Sequence, residues 1–104
     1  MTQKYFSVLE VTPTSQDWLE EYSEVASPRV AHYGGRYIAK TTEHMTLEGN
    51  REQPAVRAII EWPSKQAALN FMQDPLYKPQ LDARTQGSVS HHALLEGIDL
   101  AEDN

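Results

Sequence analysis

The sequence predicts a single α+β domain whose elements run strand, helix, strand, strand, helix, strand. Three observations carry that expectation. Short runs rich in β-branched and aromatic residues recur four times, two stretches between them space their apolar residues as a helix does, and Pro, Gly and Asp clusters mark the joints. The two patterns separate because strand side chains alternate faces while helical ones return to a face every three or four residues.

Tyr5 to Val11 is aromatic and β-branched enough for a first strand, which stops at Thr12-Pro13. Thr14, with Asp17 three residues on, forms an expected capping box, and Trp18, Tyr22, Val25 and Ala26, with Leu19 beside them, give a helix its apolar stripe. Glu20, Glu21 and Glu24 take the wet face. Pro28 either kinks this helix or opens a second segment, and Gly34-Gly35 ends it. Arg36 to Thr41 reads as strand two and Val56 to Trp62 as strand three, with a turn around Glu48-Gly49-Asn50 and a short extra strand over His44 to Leu47.

Pro63-Ser64 starts the second helix, with Ala67, Ala68, Phe71 and Met72 at helical spacing and Leu69 on its flank. Asp74-Pro75 leads into a short turn through Tyr77, Gln86-Gly87 breaks the pattern, and Val89 to Leu95 makes the last strand. Two interleaved crossovers of this kind build the ferredoxin-like split β-α-β arrangement: one antiparallel sheet with both helices on one face.

At 104 residues the chain supports one core, assigned to residues 1–98, followed by an acidic, aperiodic tail over 99–104 expected to fray. A net charge of -6 with nine scattered basic residues argues against a nucleic-acid or anionic-membrane surface. The absence of cysteine removes disulfides, thiol catalysis and thiolate-held metals. No signal-peptide pattern opens the chain, and no apolar run nears the ~20 residues that span a bilayer, so a cytoplasmic protein is expected.

Both faces of the expected sheet carry apolar residues. Tyr5, Leu9 and Val11 oppose Phe6 and Val8; Val56, Ala58, Ile60 and Trp62 oppose Ile59; Val89, Ala93 and Leu95 oppose Leu94. Two helices hide one face, and a contiguous apolar patch on the other calls for a second copy of the chain, hence a homodimer.

Among residues able to carry chemistry, His91 and His92 are adjacent on a strand and point to opposite faces, so they cannot share a metal, and none is expected. One of the two faces inward, as base, donor or satisfied core histidine; which one depends on register. Arg36 and Arg84 can offer a guanidinium fork to a carboxylate or close a salt bridge to Glu61 or Asp82. Tyr22, Tyr33 and Tyr77 can wall an apolar pocket while their hydroxyls fix a ligand, or fill the core. Trp18 and Trp62 read as core. Gly34-Gly35 precedes a strand, not a helix, which disfavours a phosphate loop.

Taken together, Tyr33-Gly34-Gly35-Arg36-Tyr37, Leu47-Glu48-Gly49, Glu61-Trp62-Pro63-Ser64 with Ala67, Ala68 and Phe71, Asp74-Pro75-Leu76-Tyr77, Arg84 and Leu95-Glu96-Gly97 resemble the domain of unknown function family 1330 of the dimeric α-β barrel superfamily. The resemblance spans nearly the whole chain. It implies the ferredoxin-like fold and a dimer in which two sheets face one another, but no particular activity. Relatives in the superfamily include cofactor-independent monooxygenases and muconolactone-isomerase-like enzymes that place substrate between sheet and helices.

The expected function is therefore a homodimer that binds a small, partly apolar, carboxylate-bearing molecule between helices and sheet, without a cofactor. Tyr22, Tyr33, Arg36, Tyr77, Arg84, His91 and His92 are its candidate ligand contacts. The alternatives are a cofactor-independent enzyme in which a His or Tyr moves a proton, and a dimer with a purely interactive role.

Overall fold

The computed structural model describes residues 4–97, and the tail expected to fray lies outside them. Along the chain run β1 (Tyr5–Pro13), α1 (Leu19–His32), β2 (Arg36–Thr41), β3 (Val56–Trp62), α2 (Lys65–Met72), α3 (Lys78–Gln86) and β4 (Ser88–Glu96). The four strands form one sheet in the order β2-β3-β1-β4, with every neighbouring pair antiparallel. β1 and β3 occupy the centre.

Sheet parity decides what is buried. Ser7 and Leu9 of β1, Ala58, Ile60 and Trp62 of β3, and half-buried His92 and Leu94 of β4 face the helices. There they meet Ala26 and Val30 of α1, Ala68 and Phe71 of α2, and Tyr77. Phe71 stacks on Tyr77 at 4.0 Å between ring centroids and lies tilted against Trp62 at 5.3 Å. Aromatic side chains buried this fully each remove roughly 150–250 Å² from water, about 4–6 kcal/mol before conformational entropy is charged against it.

α1 ends as its glycines demand. Gly34 adopts φ +83°, a left-handed conformation that glycine takes without strain, and the Gly35 and Gly34 N–H groups return to the carbonyls of Val30 and Ala31. Pro28 stands inside α1 without dividing it. It lies on the exposed side, where water can replace the donor that proline denies to the carbonyl of Glu24. The capping box of Thr14 and Asp17 does not form: the N-cap is Trp18, with no side-chain cap, because the Thr14 and Ser15 N–H groups are both drawn to the carbonyl of Gly87.

Two further expectations are corrected. No strand forms over His44 to Leu47; β3 already has β1 on one edge and β2 on the other, and Met45 and Leu47 stand in solvent. Among the described residues the helices number three, not two, since the chain after Tyr77 continues as α3 and carries Arg84 with it. Pro79 fits the first turn of that helix. Ser64 caps α2 as expected, its Oγ accepting from the Ala67 N–H at 3.0 Å. The turn between α2 and α3 is pinned to α1 by Arg29, whose Nε donates to buried Asp74 at 2.6 Å and holds that carboxyl below the usual carboxylate range.

Candidate functional site: a cavity between helices and sheet

Between α1, α3 and the helix side of the sheet lies a cavity of about 180 Å³. Its apolar wall comes from Leu9 and Val11 of β1, Val56, Ala58 and Ile60 of β3, Trp18 at the start of α1, and Phe71. Trp18 is held in place by its indole N–H, which donates to the carbonyl of Gly87 at 2.9 Å. Gly87 has to be glycine there, because a Cβ would come within 2.4 Å of the Trp18 ring.

Into this apolar shell project Tyr22 from α1, Tyr37 and Lys40 from β2, Tyr77 and Arg84 from the N-cap and last turn of α3, and His92 from β4. The Tyr22 and Tyr77 hydroxyls are hydrogen-bonded to each other at 2.8 Å. The Arg84 guanidinium lies 5.8 Å from the centre of the Tyr22 ring, a cation-π arrangement. Arg84 is only 2 % exposed, and its Nε and Nη1 are the buried side-chain polar atoms left without a partner among the described residues. A buried guanidinium with two unused donors is costly, and groups of this kind in folded proteins call for a specific explanation.

Burial sets the protonation of the surrounding groups. It pushes the phenols of Tyr22 and Tyr77 above their ordinary values and that of Tyr37 up to about 12, so all three remain hydrogen-bond donors near neutrality. Burial, reinforced by the charge on Arg84, lowers the His92 imidazole to about 4, so it is neutral near pH 7. No carboxylate lines the cavity. In a chain of net charge -6, this concavity carries Arg84 and Lys40 and no anion.

The other candidates lie elsewhere. Tyr33 sits at the C-terminal cap of α1, edge-on to Phe71 at 6.4 Å and under Arg29 at 5.8 Å. Arg36 pairs with Glu61 at 2.7 Å, and Lys4 joins the same carboxylate at 2.9 Å. His91 is exposed on the opposite side of the sheet from His92, level with Glu10 of β1. Tyr37 and Lys40 were not among the candidates. The register of β2 shifts between Tyr37 and Ala39, so Tyr37 pairs with Ile60 and Lys40 with Ala58, and both residues reach the helix side. Simple alternation would have sent them to opposite faces, so no pattern in the sequence reveals the pairing.

Among the described residues no group of His, Asp and Glu is placed to hold a metal ion, and no helix is long and apolar enough to cross a membrane.

Solved structures share the fold. A Rhodopseudomonas palustris protein of unknown function superposes with a TM-score of 0.76 at 19% identity, over 95% of this chain and 85% of that one. SnoaB, a cofactor-independent oxygenase from Streptomyces nogalater, does so with a TM-score of 0.57 at 18% identity, over 93% and 95% of the two chains. A dimeric ferredoxin-like protein of unknown function from Thermobifida fusca gives 0.50 at 9% identity, over 91% and 93%. Among curated proteins no sequence matches significantly. Over residues 4–98 the chain matches the family described as a domain of unknown function, DUF1330, and it belongs to that family.

Proposed function

We propose that the protein binds a small, partly apolar carboxylate-bearing molecule in the cavity between its helices and sheet, and that it does so as a homodimer. The observation that carries the ligand is Arg84, buried at the cavity wall with two N–H groups unpaired. A carboxylate reaching either one would turn a desolvated cation into a charge-assisted pair. The Tyr22–Tyr77 hydroxyl pair, which keeps one hydrogen to donate, also lines the cavity, as do His92 and, exposed at the edge, Lys40.

Calorimetric titration with benzoate tests this reading. Saturable binding is expected, and Arg84→Gln should weaken it about 10- to 100-fold, the range for a hydrogen bond to a charged group. Equal affinity in both proteins would remove Arg84, and the proposal with it.

Homodimerisation rests on the other side of the sheet. Phe6, Val8 and Ile59 are half-buried there, Ala93 and Leu95 are exposed, and the three helices cover none of them. The strand order β2-β3-β1-β4 supports a split β-α-β unit, whose open sheet face would pack against that of a second copy in a dimeric α-β barrel. Leu95→Lys should convert a dimer into a folded monomer in light scattering; a wild-type protein that scatters as a monomer would end this part of the proposal.

The enzymatic alternative, a cofactor-independent oxygenase or isomerase, draws on the likeness to SnoaB, which at this identity is a likeness of fold alone. Oxygen uptake or turnover with hydroquinones and lactones that disappears in Tyr77→Phe or His92→Asn would favour it over binding alone.

A further inference from the structure

We propose that His92 serves the cavity as a fixed hydrogen-bond donor through Nδ1–H, its tautomer locked by Trp62 and Ser7, so that the site selects aryl carboxylates and rejects their amides. The inference rests on the ligand reading above and narrows it to a ligand class.

The lock follows from counting hydrogens. The Trp62 indole N–H can only donate, and it donates to Ser7 Oγ at 2.8 Å. Ser7 is 1 % exposed, so its own hydroxyl hydrogen cannot turn to water. His92 Nε2 lies 2.8 Å from the same oxygen. If Nε2 carried the proton, Ser7 Oγ would receive two donors and its hydrogen would have no acceptor among the described residues. Burying an unsatisfied hydroxyl disfavours that arrangement by about 5- to 150-fold. The hydroxyl therefore donates to Nε2, and the imidazole proton sits on Nδ1.

Nδ1 makes no hydrogen bond to any described residue, and the ring borders both this cavity and a second opening that Ser7, Leu69, Met72 and Leu94 line. Its N–H is thus available to an occupant. The doubly protonated ring, which would donate from both nitrogens, is opposed by burial and by the charge on Arg84. With the Arg84 cation in the same lining and no carboxylate there, the cavity asks its ligand for acceptors. An amide would bring N–H groups to donors; a carboxylate brings lone pairs alone.

The volume suits a single ring. An apolar cavity of about 150 Å³ takes a benzene ring, and this one, at about 180 Å³, has aromatic and branched aliphatic walls around its polar end. A single ring with one carboxylate matches both.

The tautomer is read on the unliganded protein, from two-bond proton–nitrogen correlations of histidine labelled with nitrogen-15. His92 should show a protonated Nδ1 and a bare Nε2 between about pH 6 and 8. In Ser7→Ala, or in the gentler Ser7→Thr if the alanine variant does not fold, alanine should release both tautomers while threonine keeps one. A wild-type spectrum with the proton on Nε2 overturns the inference.

The ligand arm compares benzoate with benzamide. Benzoate should bind at least about tenfold more tightly, and His92→Leu should reduce its affinity about tenfold. His92→Asn, whose amide nitrogen falls where Nδ1 does, should restore most of it; equal loss in both variants would overturn the donor role. Benzoate that binds nowhere on the protein would count against the carboxylate reading, while the tautomer spectrum still decides the lock on its own.

Discussion

His91 and His92 are neighbours in the chain, yet the sheet places them in different chemical environments. His91 stands in water on the open face, across from Glu10. His92 turns toward the helices, is hydrogen-bonded to Ser7, and is held neutral by burial. The arginines divide in the same way: Arg36 spends its charge on Glu61 at the open face, whereas Arg84 is buried against the cavity with donors to spare. The difference teaches that residue type says little about chemistry here. The side of the sheet decides whether a polar group is satisfied by solvent and surface partners or held ready for a ligand.

The largest expected effect separates the two faces through adjacent isoleucines on β3. Ile60 is buried among the core residues and Ile59 faces the open side. Ile60→Ala should cost about 3 kcal/mol, within the 2–5 kcal/mol typical of such truncations, at any protein concentration. Ile59→Ala should cost about 1 kcal/mol in dilute protein and more as concentration rises, because a dimer interface adds its stability by mass action. Urea denaturation at about 1 μM and about 100 μM checks both. Equal and concentration-independent losses would erase the distinction between the faces.

The strands and α2 are legible in the sequence because burial there falls on apolar residues at regular spacing. The run Val56 to Trp62 alternates as a strand should, and Ala68 and Phe71 mark the inner side of α2. α3 escapes the same logic because its buried residues are Gln80 and Arg84. A helix whose inner face is polar carries no apolar stripe, and Pro79 reads as a breaker until its position in the first turn is known. Tyr22, Tyr77, Arg84 and His92 are recognisable as residues able to bind, but nothing in their spacing says that they meet. Their meeting requires α3 to exist and β4 to pair with β1 so that His92 lies level with Leu9. The part played by Lys40 depends on a register shift that no residue type in β2 announces.

A smaller effect sharpens the contrast between the histidines through pH. In the unfolded chain His92 titrates near 6.5; in the folded protein it does so at about 4. Between these values the unfolded state takes up a proton that the folded state refuses. Stability attached to His92 is therefore whole above about pH 6.5 and is lost as pH falls toward 4. The gap corresponds to roughly 3 kcal/mol at full burial and to about 2 kcal/mol once the partial solvent contact of the ring is discounted. Denaturation profiles of wild type and His92→Asn should diverge over this window by that amount. Parallel profiles would mean that His92 is solvated in the folded state.

The smallest expected effect has an unusual sign. Replacing a buried side chain ordinarily destabilises, but Arg84 keeps a desolvated charge with two unpaired donors, offset in part by the Tyr22 ring. Methionine has similar reach, is flexible enough to follow the same path, and needs no hydrogen bonds. Arg84→Met should thus raise the stability of the unliganded protein by about 1 kcal/mol, at the modest end of the gains seen when buried charges are replaced by apolar residues. It should weaken benzoate binding at the same time. Arg29 supplies the control: its charge is paired with buried Asp74, so Arg29→Met should destabilise. If Arg84→Met destabilises as well, the arginine is a structural member of the core, and the open donors at the cavity wall are satisfied by the fold without a ligand.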